Sequence, residues 1–197
     1  MKSAMPYLGV GRPEVRRLTR AAAKTTTPTD LVELELISRT LWDDAEFREE
    51  RYAAIDLTGL RSAKGRLELL PLHEHFAVTG AWWDFVDETA HRIADLHDAH
   101  PAETAVVVRR WSRSDDMWLR RLAILSQLGR RDRLDSSLLT DVIDCNVGDS
   151  EFFVRKAIGW ALREYARVDP TWVRGFVAAR EDELSGLSKR EALKHVG

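Results

Sequence analysis

A chain of 197 residues, 44% hydrophobic and 31% charged, has the length of one domain with a sizeable core, and no apolar run approaches the roughly 18 residues of a membrane span. The single cysteine, Cys145, excludes an internal disulfide framework and a cysteine-based metal site. The six histidines include His73 and His75 in H-E-H, which lacks the spacing of H-E-x-x-H, so no metal is expected. There is no phosphate loop and no G-x-G-x-x-G, and no cofactor is expected. The first residues, M-K-S-A-M-P-Y-L-G-V, lack the apolar core of a signal peptide, so the expected location is cytoplasmic. The net charge of −2 argues by itself against a nucleic-acid partner.

Taken in chain order, the elements read as helices, and no segment shows the period-2 alternation of a sheet. Gly11-Arg12-Pro13-Glu14 reads as a turn leading into a helix at Val15. Asp30, with Glu33 three residues on, resembles a capping box ahead of L-V-E-L-E-L-I. Pro28, Pro71, Pro101 and Pro170 fall between helical stretches as punctuation. Ser150 and Glu151 open F-F-V-R-K-A-I-G-W-A-L-R-E-Y-A, with Phe153, Ala157, Trp160, Leu162 and Tyr165 spreading apolar groups over more than one face.

Four segments stack at a spacing of 35: R-E-E-R-Y-A-A-I from 48, W-D-F-V-D-E-T-A from 83, W-L-R-R-L-A-I-L from 118 and F-V-R-K-A-I-G-W from 153. Three open with an aromatic residue, and three carry a basic residue at the fourth position (51, 121, 156). Such a period in a helical chain predicts stacked helix pairs, an all-α solenoid of the HEAT type forming a single domain over 1–197. If each repeat turns the same helix to the inner face, Trp83, Asp87, Arg121, Lys156 and Trp160 converge in one groove.

Trp83 and Asp87 carry the most chemistry. At i and i+4 they share a helix face, so a ring with an electron-rich surface and a carboxylate address one small volume. That pair suits a cationic base or a developing sugar cation. The plainer alternative is a core Trp beside an exposed Asp. Lys156 and Arg163 fall on the helical face of Trp160 and are candidate phosphate contacts, as are Arg190 and Lys194; solvated surface positions are the alternative. The charge is segregated: residues 1–29 carry six basic groups and one acidic, whereas residues 30–98 carry seven basic and sixteen acidic. A positive groove is therefore compatible with an acidic whole.

P-Y-L-G-V, E-E-R-Y-A-A-I at 49–55, W-W-D-F-V-D at 82–87, W-L-R-R-L-A-I-L at 118–125, E-F-F-V-R-K-A-I-G-W-A-L-R-E-Y at 151–165 and L-S-K-R-E-A-L-K-H at 187–195 together resemble the DNA alkylation repair glycosylases of the AlkD type. The resemblance covers residues 6–195. It implies a HEAT-like α-solenoid that removes N3- and N7-alkylated purines from duplex DNA without an obligate protein partner. It also implies that Trp83, Asp87 and Trp160 serve the reaction and that Arg121 binds the phosphate next to the lesion. Only Met1 to Met5 precede P-Y-L-G here, whereas family members usually carry another helix ahead of it, so either the chain begins late or this branch lacks that helix. Two other readings stay open, a nucleic-acid-binding module without catalysis and a protein scaffold. The scaffold predicts a groove lined by apolar or acidic groups.

Overall fold

The computed structural model describes residues 5–196. Residues 1–4, on which the expectation about a helix ahead of P-Y-L-G bears, fall outside the described residues. The described residues form eleven α-helices and no strand: α1 (Arg12–Thr25), α2 (Leu31–Asp43), α3 (Arg48–Leu57), α4 (Leu70–Gly80), α5 (Trp83–Ala99), α6 (Pro101–Trp111), α7 (Met117–Leu125), α8 (Ser136–Asp144), α9 (Phe152–Tyr165), α10 (Pro170–Ala179) and α11 (Gly186–Ala192). Two single 3-10 turns, Leu67–Leu69 and Arg131–Arg133, lie between them. None of the helices is long and apolar enough to cross a membrane.

Local chemistry accounts for most of the boundaries. α1 begins at Arg12, three residues ahead of the expected start at Val15, because Pro13 sits in its first turn, where its missing N–H costs nothing. Pro71 likewise lies inside the first turn of α4 rather than between helices, and Pro101 and Pro170 are first residues of α6 and α10. The Asp30 carboxylate accepts the Glu33 N–H at 2.9 Å, but Glu33 reaches back to the N–H and hydroxyl of Thr29, at 2.6 and 2.7 Å, one residue earlier than a capping box requires. α9 starts two residues after Ser150, with the Glu151 N–H held by Asp149 Oδ1 at 2.8 Å.

The repeat is physical. The segments starting at 48, 83, 118 and 153 open α3, α5, α7 and α9, and these helices pack side by side, α3 on α5, α5 on α7, α7 on α9 and α9 on α11. α2, α4, α6 and α10 pack as partners of α3, α5, α7 and α11, while α8 lies on α6 and α7. The architecture is a HEAT-like stack of antiparallel helix pairs. Polar joints cross it at intervals near the repeat length. Trp42 Nε1 donates to Thr79 (2.7 Å), Trp111 Nε1 to Glu74 (3.0 Å), Asn146 Nδ2 to the Ser112 carbonyl (2.9 Å) and Arg180 Nε to Asp144 (2.6 Å).

The apolar core divides along the same lines. One cluster joins α1 to α4 around Trp42, whose ring centroid lies 4.4 Å from Phe76 and 5.2 Å from Phe85. The larger cluster runs from α5 through α11. The first row position is closed by Glu49, a buried carboxylate that accepts the N–H groups of Leu8, Gly9 and Val10 at 2.9–3.1 Å. This fixes the P-Y-L-G-V stretch against α3.

Two histidines in the stack make stability pH-dependent. Burial pushes His73 down to about 3 and His97 down to about 4, with Arg92 and Arg130 adding to the two effects. An unfolded chain takes up these protons near pH 6.5, whereas the folded one resists until far lower. Stability is therefore full above about pH 6.5 and is lost as pH falls toward these depressed values. At about pH 4.5 the His73 contribution alone amounts to roughly 2–3 kcal/mol. The expected result is a urea midpoint that drops between pH 6.5 and 4.5, with a shallower drop in His73→Leu; an unchanged slope in that variant would exclude His73 as a source.

Candidate active site

α5 begins abruptly. Gly80 ends α4 beneath the Trp42 ring, where an added Cβ would lie 2.9 Å from Cζ2, so the glycine is committed to packing. The turn into α5 then falls on Ala81, which takes the left-handed conformation at φ 42°. Trp82 caps the new helix, and Trp83 and Asp87 follow on one face. The first turn is locked from the α3 side: Asp84 receives Arg48 and the Tyr52 hydroxyl, both at 2.5 Å.

Asp87 is locked from the α7 side. Arg121 Nε donates to Oδ1 at 2.8 Å and Nη2 to Oδ2 at 2.9 Å. The third arm of the guanidinium, Nη1, donates to the Phe153 carbonyl at 2.6 Å, which ties α9 to the pair. Arg121 is 3% exposed and Asp87 9%. Three of the five guanidinium N–H groups are engaged in this arrangement, and the residue expected to bind phosphate holds Asp87. The physical reason is the repeat itself, which sets Arg121 opposite the carboxylate one unit earlier. Burial raises the Asp87 carboxyl above the ordinary aspartate value, and the charge and hydrogen bonds of Arg121 oppose that rise.

Trp83, Asp87, Arg121, Lys156, Trp160 and Arg163 line one cavity of about 400 Å³, together with Phe152 and Phe153. α5, α7 and α9 thus bring Trp83, Asp87, Arg121 and Trp160 together. On α9 the wall is a stripe at helical spacing, Phe152, Lys156, Trp160 and Arg163. Phe152 is half-exposed, and Phe153 packs on Trp118 with ring centroids 5.1 Å apart. Phe153 is an expected apolar position of this helix, whereas the place of Phe152 in the wall is not among the expectations, although Phe152, Lys156 and Trp160 at i, i+4 and i+8 carry the signal. The lining includes three cations, Arg121, Lys156 and Arg163, and one carboxylate, Asp87.

Lys156 and Arg163 are held by a residue the motif reading passed over. Lys156 Nζ donates to Glu191 Oε1 at 2.9 Å, and Arg163 Nη1 donates to Oε2 of the same carboxylate. Both cations pull Glu191 below the usual glutamate range, with the Lys156 hydrogen bond the largest cause. Arg190 and Lys194 are exposed and lie outside the cavity lining. Among the described residues no group of His, Cys, Asp and Glu is placed to hold a metal ion.

Gly159 sets the distance between α9 and α11. A Cβ there would stand 2.5 Å from Glu191 Cβ and 2.9 Å from the Ser188 carbonyl oxygen. Ser188 Oγ also donates to the Arg155 carbonyl at 2.9 Å across the same contact. Gly159→Ala must push the helices apart beside Trp160. Overpacking of this kind costs roughly 1–3 kcal/mol, and a thermal melt should show the midpoint lowered by about 2–4 °C per kcal/mol. A melt matching the native protein would show that α11 can shift at no cost.

The fold and this cavity define a helical-repeat protein with an aromatic, cation-rimmed site around a buried carboxylate. The profile of the family described as DNA alkylation repair enzyme matches residues 1–196. A solved structure titled as a predicted DNA alkylation repair enzyme from Enterococcus faecalis is similar to this chain, with 28% sequence identity and a TM-score of 0.87. The alignment covers 97% of this chain and 88% of that one. No curated protein matches. The chain belongs to the DNA alkylation repair enzyme family.

Proposed function

We propose that this protein is a DNA glycosylase that hydrolyses the N-glycosidic bond of cationic N3- and N7-alkylated purines in duplex DNA. The carrying observation is Asp87, a carboxylate buried in the wall of a cavity between Trp83 and Trp160. An alkylated purine of this kind already bears a positive charge, so its departure needs little help from a general acid. As the C1′–N bond breaks, its electron pair neutralises the base and the sugar becomes an oxocarbenium ion. The oxygen of a water then bonds to C1′ and its proton passes to Asp87 or solvent. This is glycoside hydrolysis with the acid partner made unnecessary by the substrate.

The residues divide the work accordingly. Asp87 stabilises the sugar cation and orients the water. Arg121 is a positioning residue: its two bonds fix both carboxylate oxygens, each of which retains a further lone pair for the water. Trp83 and Trp160 hold the deoxyribose by their ring faces. Lys156 and Arg163 reach the neighbouring phosphates, exchanging Glu191 for the backbone.

The repeat-spaced pairing of Arg121 with Asp87 has a structural counterpart in Arg48 with Asp84, which favours a binding module as the second reading. The cavity separates the two, since Asp87 lines it and Asp84 does not. The deciding experiment is incubation with a duplex carrying one N7-methylguanine, followed by assay for abasic sites. Abasic product above the spontaneous rate supports the glycosylase. No excision of any cationic lesion, with duplex binding intact, leaves the binding module.

A further inference from the structure

The helices that carry the site bear further cavities toward their C-terminal ends. On α5 Trp83 and Asp87 are followed at helical spacing by His91, Ala94 and Asp98, which line a second open cavity of about 450 Å³. Arg16, Arg20, Arg92, Arg130 and Arg133 line it from α1, α5 and the loop after α7, and the carboxylates Asp56, Glu88, Asp95 and Asp98, also in the lining, pair with all of them but Arg20. On α9 the stripe through Trp160 and Arg163 passes to Glu164 and Arg167, which line a third cavity of about 400 Å³ with Arg131. The second and third cavities meet at Leu128 and Gly129. Beyond the Asp87 cavity, along the same helices α5 and α9, these two joined cavities carry a rim of arginines.

The loop after α7 is built to present one of them. Arg130 is buried and tied to Asp98 at 3.0 Å and to Gln127 at 2.7 Å. Arg131 next to it takes a left-handed backbone, φ 54°, which is costly for any residue but glycine. Its exposed guanidinium and that of Arg20 form no ion pair among the described residues. Arg133 and Arg167 are 58% and 63% exposed, in surface pairs of the kind that exchange easily for other anions. The residues from Asp87 to Asp98 span roughly 16 Å of helix, the length of about five base pairs.

We infer that this rim binds the phosphodiester backbone of the duplex about five base pairs to one side of the lesion, through Arg20, Arg131, Arg133 and Arg167, with Arg131 at its centre. Placing the lesion at Asp87 rests on the proposed function. The binding of undamaged duplex does not. A left-handed arginine kept where glycine would be relaxed is explained by the side chain it presents.

The test is Arg131→Gly, which removes the charge and relieves the backbone together. The thermal midpoint should hold or rise. Affinity for a lesion-free duplex of about 20 base pairs should fall roughly three- to tenfold, and the slope of log K against log salt should shrink by about one. With lesion-bearing duplexes, trimming one flank below about five base pairs should lower wild-type excision, and Arg131→Gly should be indifferent to that trimming. Unchanged affinity in Arg131→Gly, failure of the wild type to bind lesion-free duplex, or wild-type indifference to both flanks would each overturn the rim. Duplex binding that depends on Arg131 without any excision would instead retire the glycosylase reading and leave the rim standing.

Discussion

Asp87→Asn is expected to lower excision of N7-methylguanine by at least about tenfold, equivalent to roughly 1.4 kcal/mol of transition-state stabilisation. The change keeps the outline of the side chain but removes the charge that faces the sugar cation. It also sets an amide NH2 against the Arg121 guanidinium, which now meets both oxygens of the native carboxylate. A melt must therefore accompany the assay, so that loss of chemistry is separated from loss of fold. Affinity for undamaged duplex should hold or rise slightly, because a negative group near the phosphates has been removed. Single-turnover rates at saturating enzyme read the chemical step directly. An unchanged rate in a folded variant, beside an active native protein, would make the carboxylate a bystander.

Arg121→Ala is expected to damage stability more than any other single change at the site. The pair is buried, and removing one partner strands a carboxylate in a poorly hydrated wall, a loss of about 3–5 kcal/mol. The Phe153 carbonyl loses its donor at the same time. Burial already holds Asp87 above its ordinary value, and without the guanidinium nothing opposes that rise. Excision requires the ionised carboxylate, so the rate falls as pH drops through the Asp87 value. In the variant that acidic limb should move to higher pH, and Arg121→Lys should restore part of it by returning the charge without the two-pronged geometry. The salt dependence of duplex binding should keep its slope. A slope reduced by about one, with the acidic limb unmoved, would return Arg121 to a phosphate contact.

The fold was readable because its signals are local and repeated. Proline in first turns, Asp30 before α2 and the 35-residue echo of aromatic and basic positions all register in a single strand of text. The shared face of Trp83 and Asp87 was readable for the same reason, since four residues is one helical turn. What escaped was the chemistry between repeats. Nothing near Arg121 in sequence announces that its partners are Asp87 and the Phe153 carbonyl, each about one repeat away. In the sequence Arg121 is one arginine among many, and only the distance from α7 to α5 shows that it holds Asp87. Glu191 was missed likewise: on its own short helix it is an unremarked acid, and it matters only because Gly159 lets α11 approach α9. The start of α1 at Arg12 slipped by a few residues because a proline can either precede a helix or sit in its first turn.

Most of the polar joints reach only to the neighbouring unit, so cohesion in this chain is that of a zipper rather than of a knot. Exceptions such as Arg12 and Arg16 on Glu88 lie toward one end. Nearest-neighbour cohesion lets the outer teeth open while the middle ones stay meshed. Trp83, Asp87, Arg121 and Trp160 sit on α5, α7 and α9, the three central members of the row from α3 to α11. Fraying at either end thus spares the proposed reaction centre and loosens first the parts that would have to spread around a duplex.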